Sequence, residues 1–213
     1  MKPVYSSRIE PHTVKPYIGR KERLGVSVAW TGDSMATAAD ATRGTLDVWV
    51  AGARVWGRDG IEWTWIELLE HLSRFWSDLL LEEQDPLNLG VEPELLRNEA
   101  ARRWSTASGD REEQEEEALF AYLEAHNLAA GLMGVFPPAL FVTRQGKAIR
   151  VASQGRVARV PREEAEAIFV ALGDAIAKRL ETVSDERARL ARSAWAAREH
   201  VKFLGVILEL GDG

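Results

Sequence analysis

Apolar residues recur along this chain at two periods, and the switches between the periods mark out its elements. From Trp63 to Pro86 the period is helical: Trp65, Leu68, Leu69, Leu72, Phe75, Trp76, Leu79 and Leu80 fall on one wide stripe. Thr64 and Glu67 stand at the spacing of a capping box, in which hydroxyl and carboxylate each satisfy an orphan amide of the first turn. Glu67, Glu70, His71, Arg74 and Asp78 lie opposite the stripe and are expected to face solvent. Pro86 cannot continue the helix, so its end is predicted near Glu82 or Glu83.

Upstream of that helix the period is two. Residues 1–23, which include Pro3, Pro11 and Pro16, read as an extended arm or loop. Val26, Val28 and Trp30 alternate with Ser27 and Ala29, and Leu46, Val48 and Val50 alternate with Asp47 and Trp49; each run predicts a half-buried strand. The small, polar stretch from Thr31 to Gly44 between them reads as a surface loop. Ala51-Gly52 suits a tight turn into a third strand, Arg54 to Trp56, and Ile61 to Trp63 leads into the helix.

Downstream, a turn-rich link precedes a helix from Glu94 to Trp104 with Pro93 at its start. Residues 105–110, small and polar, are the best candidate boundary in the chain. Asp110 is placed to cap a third helix, whose first turns hold Glu112, Glu113, Glu115, Glu116 and Glu117, where the helix dipole favours negative charge. Asn127 recaps the chain into a short turn, and Pro137-Pro138 forces an extended exit. Between Leu140 and Val160, Gln145-Gly146 and Gln154-Gly155 separate three short apolar runs, the pattern of a three-strand meander. Its register would put Leu140, Val142, Ile149, Val151, Ala158 and Val160 on one face, and Thr143, Arg150 and Arg159 on the other. Pro161 opens a helix whose stripe, Ala165, Ile168, Phe169, Leu172, Ile176 and Leu180, is suited to cover the first of these faces. Ser184 or Asp185 caps a last helix from Glu186 to about Phe203, with Leu190, Ala194, Trp195 and Val201 as its apolar seam. Residues 204–210 either extend it or form a terminal strand.

These elements predict an α+β fold of small antiparallel sheets, each packed by amphipathic helices. The expected division is a Trp-rich half, 1–107, and a second half, 108–213, with one continuous domain as the alternative. Six of the eight tryptophans lie between Trp30 and Trp76, which points to a Trp-rich core, or alternatively to a partner-binding or base-stacking surface, in the first third.

Composition narrows the chemistry. With no cysteine, no disulfide framework, thiolate nucleophile or cysteine-ligated metal is open to the chain. No secretory signal and no apolar run long enough for a transmembrane helix is found, so a cytoplasmic location without membrane contact is expected. Gly32-Asp33-Ser34 matches the nucleophile block of GDSL-type hydrolases, but those enzymes take their base from an Asp-x-x-His, which does not occur here. The four histidines, His12, His71, His126 and His200, form no His-Glu-x-x-His. Glu67 and His71 are best read as a solvent-facing helical pair, and His126 as a cap or packing residue. No Walker A sequence and no Gly-x-Gly-x-x-Gly is present, so no cofactor, metal or nucleotide is expected.

What stands out instead is segregated charge. The chain carries a net charge of -6, yet from Ala129 to Arg162 it holds six basic residues and no acid. Arg144, Lys147, Arg150, Arg156, Arg159 and Arg162 are therefore the candidate site, an anion-facing patch for an acidic partner or for nucleic acid. Arg187, Arg189, Arg192 and Arg198 would enlarge it if the last helix lay alongside.

Two stretches carry a family resemblance. The first is Trp63-x-Trp65-Ile66-Glu67-Leu68-Leu69 with the later Pro86; the second is His126-Asn127-Leu128 followed by Gly134, Pro138 and Arg144-x-Gly146. Across scattered positions from about 63 to 182 the chain resembles uncharacterised bacterial accessory proteins associated with ImmA/IrrE-type regulatory peptidases or phage-defence loci. That resemblance implies a cytoplasmic accessory or regulatory protein of a multi-gene system and transfers no catalytic residue. The leading expectation is a non-enzymatic interaction subunit with a protein partner. Nucleic-acid binding through the 144–162 meander and the last helix is the alternative, and an unrecognised enzyme, such as a hydrolase, built on His126 or on Glu67 and His71 ranks third.

Overall fold

A computed structural model describes residues 17–30, 43–57, 63–81, 86–104, 110–130 and 137–211. The alternating runs of the first third form strands β1 (Tyr17–Gly19), β2 (Leu24–Trp30), β3 (Arg43–Val50), β4 (Ala53–Trp56) and β5 (Trp63–Thr64). They pair antiparallel in the order β1-β2-β3-β4, and β5 pairs with the start of β3. Tyr17–Gly19, within the segment read as an arm, adds an edge strand to β2, and β3 begins inside the stretch read as a loop. The rest of that loop lies outside the described residues. Ala51 and Gly52 both take positive φ, 48° and 81°, as a type I′ turn between β3 and β4 requires.

The chain then runs through helix α1 (Trp65–Leu81), α2 (Pro93–Trp104) and α3 (Asp110–His126) into the meander β6 (Phe141–Gln145), β7 (Ala148–Ser153) and β8 (Arg156–Pro161). Helices α4 (Arg162–Leu180) and α5 (Glu186–Gly211) complete it. The fold is α+β. In the meander, Ile149 pairs with Val160 and Val151 with Ala158, while Arg150 pairs with Arg159, so the predicted register is the observed one. The first turn sits one residue later than expected, at Gly146-Lys147, because Gln145 pairs with Ala148. Gly146 takes a φ of 60° there, as a type II′ turn asks of its first central residue.

One hydrophobic core joins both sheets to three helices. It runs from Leu24, Val26, Leu46 and Val48 through Trp65, Leu69, Leu72 and Phe75 to Val142, Val151, Val160, Phe169, Leu172 and Trp195. Helix α4 lies against β1 and β2 as well as β7 and β8, so it covers both sheets and not the meander alone. Each sheet has an apolar face to bury, and sharing one set of helices buries both. A smaller cluster, Leu87, Leu96, Ala100, Leu119 and Tyr122, holds α2 and α3 to each other.

Several local expectations change. Trp65, Leu68, Leu69, Leu72 and Phe75 of the α1 stripe are buried as predicted, while Trp76, Leu79 and Leu80 lie outside the residues whose side chains are described. Thr64 donates its hydroxyl proton to the Glu67 carboxylate at 2.5 Å, so the two capping side chains meet directly. The last helix continues through residues 204–210, with no terminal strand there. Asp185 caps it, accepting from the Arg187 and Ala188 amides. Its buried seam is Ala188, Ala191, Trp195 and Arg198; Leu190 and Ala194 face outward, and the side chain of Val201 is outside the described residues. The seam is narrow and alanine-rich because α5 packs closely along α1 and α4. Trp195 supplies its bulk, donating its indole N–H to Asp174 at 2.8 Å and lying flat over Gly173.

That contact gives a stability test with an unusual sign. Gly→Ala within a helix ordinarily stabilises by about 1 kcal/mol. A Cβ on Gly173 would stand 2.1 Å from the Trp195 ring. Gly173→Ala is expected to destabilise instead, by about 1–3 kcal/mol through overpacking. Chemical denaturation of the variant against wild type checks it.

Candidate functional site

The six basic residues picked out from the meander do not form one patch. The pairing alternates them between faces: Arg144 stands opposite Ile149, on the parity of the core-facing residues, whereas Arg150 and Arg159 stand opposite each other on the outer face. Arg156 lies at the exposed β7–β8 turn. Arg162, in the first turn of α4, donates to Glu166 one turn later at 2.7 Å.

Arg150 is the main correction. It is only 5% exposed, because the N-terminus of α2 lies over the outer face of β7. Its guanidinium grips Glu94 with both terminal nitrogens, at 3.0 Å for Nη1, and reaches Glu92 at 3.1 Å from Nε. Burial alone would lower the pKa of Arg150 and raise that of Glu94. The bidentate bond and the mutual attraction outweigh it, holding Arg150 more firmly charged and Glu94 below the usual carboxylate range. Arg150 is thus the pin that fastens α2 to the meander, and an incoming anion has no access to it.

Lys147 and Arg159 remain. Together with Arg23, from the β1–β2 turn, they line an open groove of about 520 Å³ floored by Gln145, Ala148, Val160 and Pro161. No acid lines it, although Glu164 stands beside it and takes a bond of 3.2 Å from Arg23. Arg20 approaches the same carboxylate at 3.9 Å, and Lys21 caps the Tyr17 and Trp49 rings at 5.2 and 4.8 Å. The groove therefore combines a turn of the first sheet with a turn and an edge of the second. Arg23, Lys147 and Arg159 give this surface a local positive charge. Arg23 was missed in the sequence because it lay in a segment read as an arm. The signal was the basic run Arg20-Lys21-Glu22-Arg23; its approach to Arg159 depends on the tertiary packing.

The arginines of the last helix do not enlarge this surface. Helix α5 runs along α1, where Arg187 makes a fork to Glu70 at 2.7 and 3.0 Å and reaches Glu67 at 3.5 Å. Arg189 bonds Glu186, and Arg198 stacks on Trp195 at 3.7 Å and approaches Asp174 at 3.3 Å.

The histidine candidates are used for packing. His71 is 5% exposed and not solvent-facing as expected, because α1 turns it against the α3–β6 connection. There its Nε2–H donates to the Asn127 carbonyl at 3.2 Å. The Asn127 side chain accepts from the Ala129 and Leu140 amides at 3.1 and 3.0 Å, and its backbone bridges to Phe141. His126, buried, donates from Nδ1 to the Tyr122 carbonyl at 2.9 Å. This Asn127 node stitches α1, α3 and β6, in keeping with the recapping role read from the sequence. Burial pulls the His71 imidazolium down from 6.5 to about 4; the bond to Asn127 opposes the shift and the Arg74 charge adds to it. Among the described residues, no group of three His, Asp or Glu side chains could hold a metal ion, and no helix is long and apolar enough to cross a membrane. Gly32-Asp33-Ser34 lies outside the described residues.

No family model and no curated protein matches this chain. Among solved structures it is similar to the crystal structure of CdiI from Burkholderia dolosa AUO158, at 14% identity and a TM-score of 0.45, over 74% of this chain and 97% of that one.

Two measurements follow from this geometry. Arg150→Ala leaves two half-buried carboxylates without their partner and is expected to cost about 2–3 kcal/mol, less than a fully enclosed pair because Glu92 and Glu94 still reach water. Arg159→Ala is expected to change stability by less than about 0.5 kcal/mol. Urea denaturation of both variants checks the contrast.

For His71 the folded state binds its proton less tightly than the unfolded chain does. Its contribution is fully present above about pH 6.5 and is lost as the pH falls toward 4. The shift amounts to a loss of about 2 kcal/mol between pH 7 and pH 5, above the range in which Glu94 titrates. His71→Asn should flatten the stability profile across that interval, as read by thermal melts at each pH.

Proposed function

We propose that this protein is a non-enzymatic binding module that docks an acidic protein partner against the Arg23–Lys147–Arg159 groove. The observation that carries the reading is the convergence of Lys147 and Arg159 with Arg23, which also bonds Glu164 beside them, from two separate sheets on one open groove. The histidines and acids that would serve an enzyme at the described positions are held in packing contacts. His71 is bonded to Asn127, His126 to Tyr122, and Glu67 and Glu70 to Arg187.

A protein partner fits better than nucleic acid. Binding duplex DNA tightly takes on the order of 6–10 phosphate contacts. Arg150 and Arg162 are already committed to Glu94 and Glu166, which leaves Arg23, Lys147 and Arg159 at the groove, fewer cations than a phosphate backbone would use. A mixed surface of a few cations with exposed apolar Val157 is the composition of a protein interface. Placement within a bacterial multi-protein system, phage defence included, rests on the sequence resemblance alone.

The test is affinity isolation from the native host with wild type and with Lys147→Glu/Arg159→Glu, followed by identification of what is retained. An acidic protein held by wild type, released by salt and absent from the variant is the expected result. Recovery of nucleic acid that the variant loses, or of a partner that the variant keeps, overturns the reading.

A further inference from the structure

Strand β8 ends the meander sheet on the side of the groove, and its backbone is set for one more strand. Among the described residues the sheet order is β6-β7-β8, which makes β8 an edge. Ser153 and Arg156 flank the two-residue Gln154-Gly155 turn as a pair, and the Arg162 amide bonds the Lys147 carbonyl at 3.0 Å. In an antiparallel ladder alternate residues bond across the pair, so Arg156, Ala158, Val160 and Arg162 face β7. The N–H groups of Val157 and Arg159 then point away from the sheet, as do the carbonyls of Val157, Arg159 and Pro161. Both Val157, at 45% exposure, and Arg159 are open to solvent.

Resting on the reading that the groove takes an acidic protein, we infer that the partner enters as an extended acidic segment that adds to β8 as a fourth strand of the meander sheet. The backbone groups of Val157 and Arg159 supply the register, and the neighbouring cations select the side chains. Arg156 and Arg159 lie on opposite faces of the edge, with Lys147 and Arg23 beyond the second, so carboxylates on either face of an incoming strand meet a cation. The same charges disfavour the commonest wrong occupant: a second copy of β8 laid antiparallel would gather the arginines of both strands along one seam. Pro161, which has no N–H, limits the added strand to a short one ending beside α4. Main-chain bonds give such an interface affinity, and the flanking side chains give it specificity.

The probe is a short fluorescent peptide of alternating glutamate and valine, titrated onto the full-length protein by fluorescence anisotropy. Two further peptides carry N-methyl groups on one or the other alternate set of amides. The acidic peptide is expected to bind, one methylated set to weaken it about 25-fold by removing two main-chain bonds, and the other set to leave it unchanged. Val157→Pro, which removes an outward N–H and no ladder bond, is expected to weaken binding by about fivefold, the worth of one hydrogen bond. If both methylated peptides bind wild type as well as the parent does, the contact is charge alone and the edge inference fails, while the acidic-partner reading stands. Failure of the unmodified peptide to bind wild type also overturns the edge inference, and the isolation experiment above then decides the wider reading independently. Should Val157→Pro prove unfolded by circular dichroism, binding of the methylated pair to wild type decides between the two outcomes.

Discussion

The register of the meander governs the rest of the molecule. A slip of β8 by one residue against β7 would turn Ala158 and Val160 out to water and bring Val157 and Arg159 into the core. Two turns fix that register, one through Gly146 at positive φ and one through Gln154 and Gly155 at 50° and 72°. Once it is set, it determines which apolar side chains meet α4 and which basic ones look outward. It also determines which backbone amides remain on the open edge. The shared core then follows, because α4 continues directly from β8 and carries the apolar face of the meander against the first sheet.

The outer face divides sharply between structure and surface. Arg150 and Arg159 are direct cross-strand neighbours with the same charge, yet α2 covers one and leaves the other in the groove. The bidentate bond to Glu94 makes the buried arginine tolerable and pins α2, together with the satellite cluster that α2 shares with α3. The Asn127 node pins the other end of that pair of helices to α1 and β6. Relieved of its like-charged neighbour, Arg159 stands with Lys147 and Arg23 in a groove where Glu164 is the carboxylate at hand among the described residues.

Much of this was legible in the sequence where periodicity carries the information. The α1 stripe, the meander faces, the Ala51-Gly52 turn and the Asp185 cap depend on local spacing, and each is found where the pattern places it as far as it is described. Apart from the one-residue shift of the Gly146-Lys147 turn and the direct Thr64–Glu67 bond, the failures concern long-range placement. His71 falls on the polar side of α1 by spacing but is buried because a distant turn packs there; Leu190 falls on the apolar seam but is exposed because the helix is rotated to put Ala188 and Ala191 against its neighbours. Charge counting found the basic stretch but could not see that Glu92 and Glu94, from an element remote in sequence, claim Arg150. Nor could it bring Arg23 across to Arg159.

The central claim is that a partner occupies the β8 edge and the groove beside it. Hydrogen exchange on the complex isolated from the native host tests it most directly, because exposed edge amides exchange fast and a paired strand protects them. Slowed exchange is expected at Val157 and Arg159 and around the Gly146-Lys147 turn, with the exposed α2–α3 surface at Leu95 and Phe120 unchanged. Protection confined to Leu95 and Phe120, with Val157 and Arg159 exchanging as in the free protein, would contradict it.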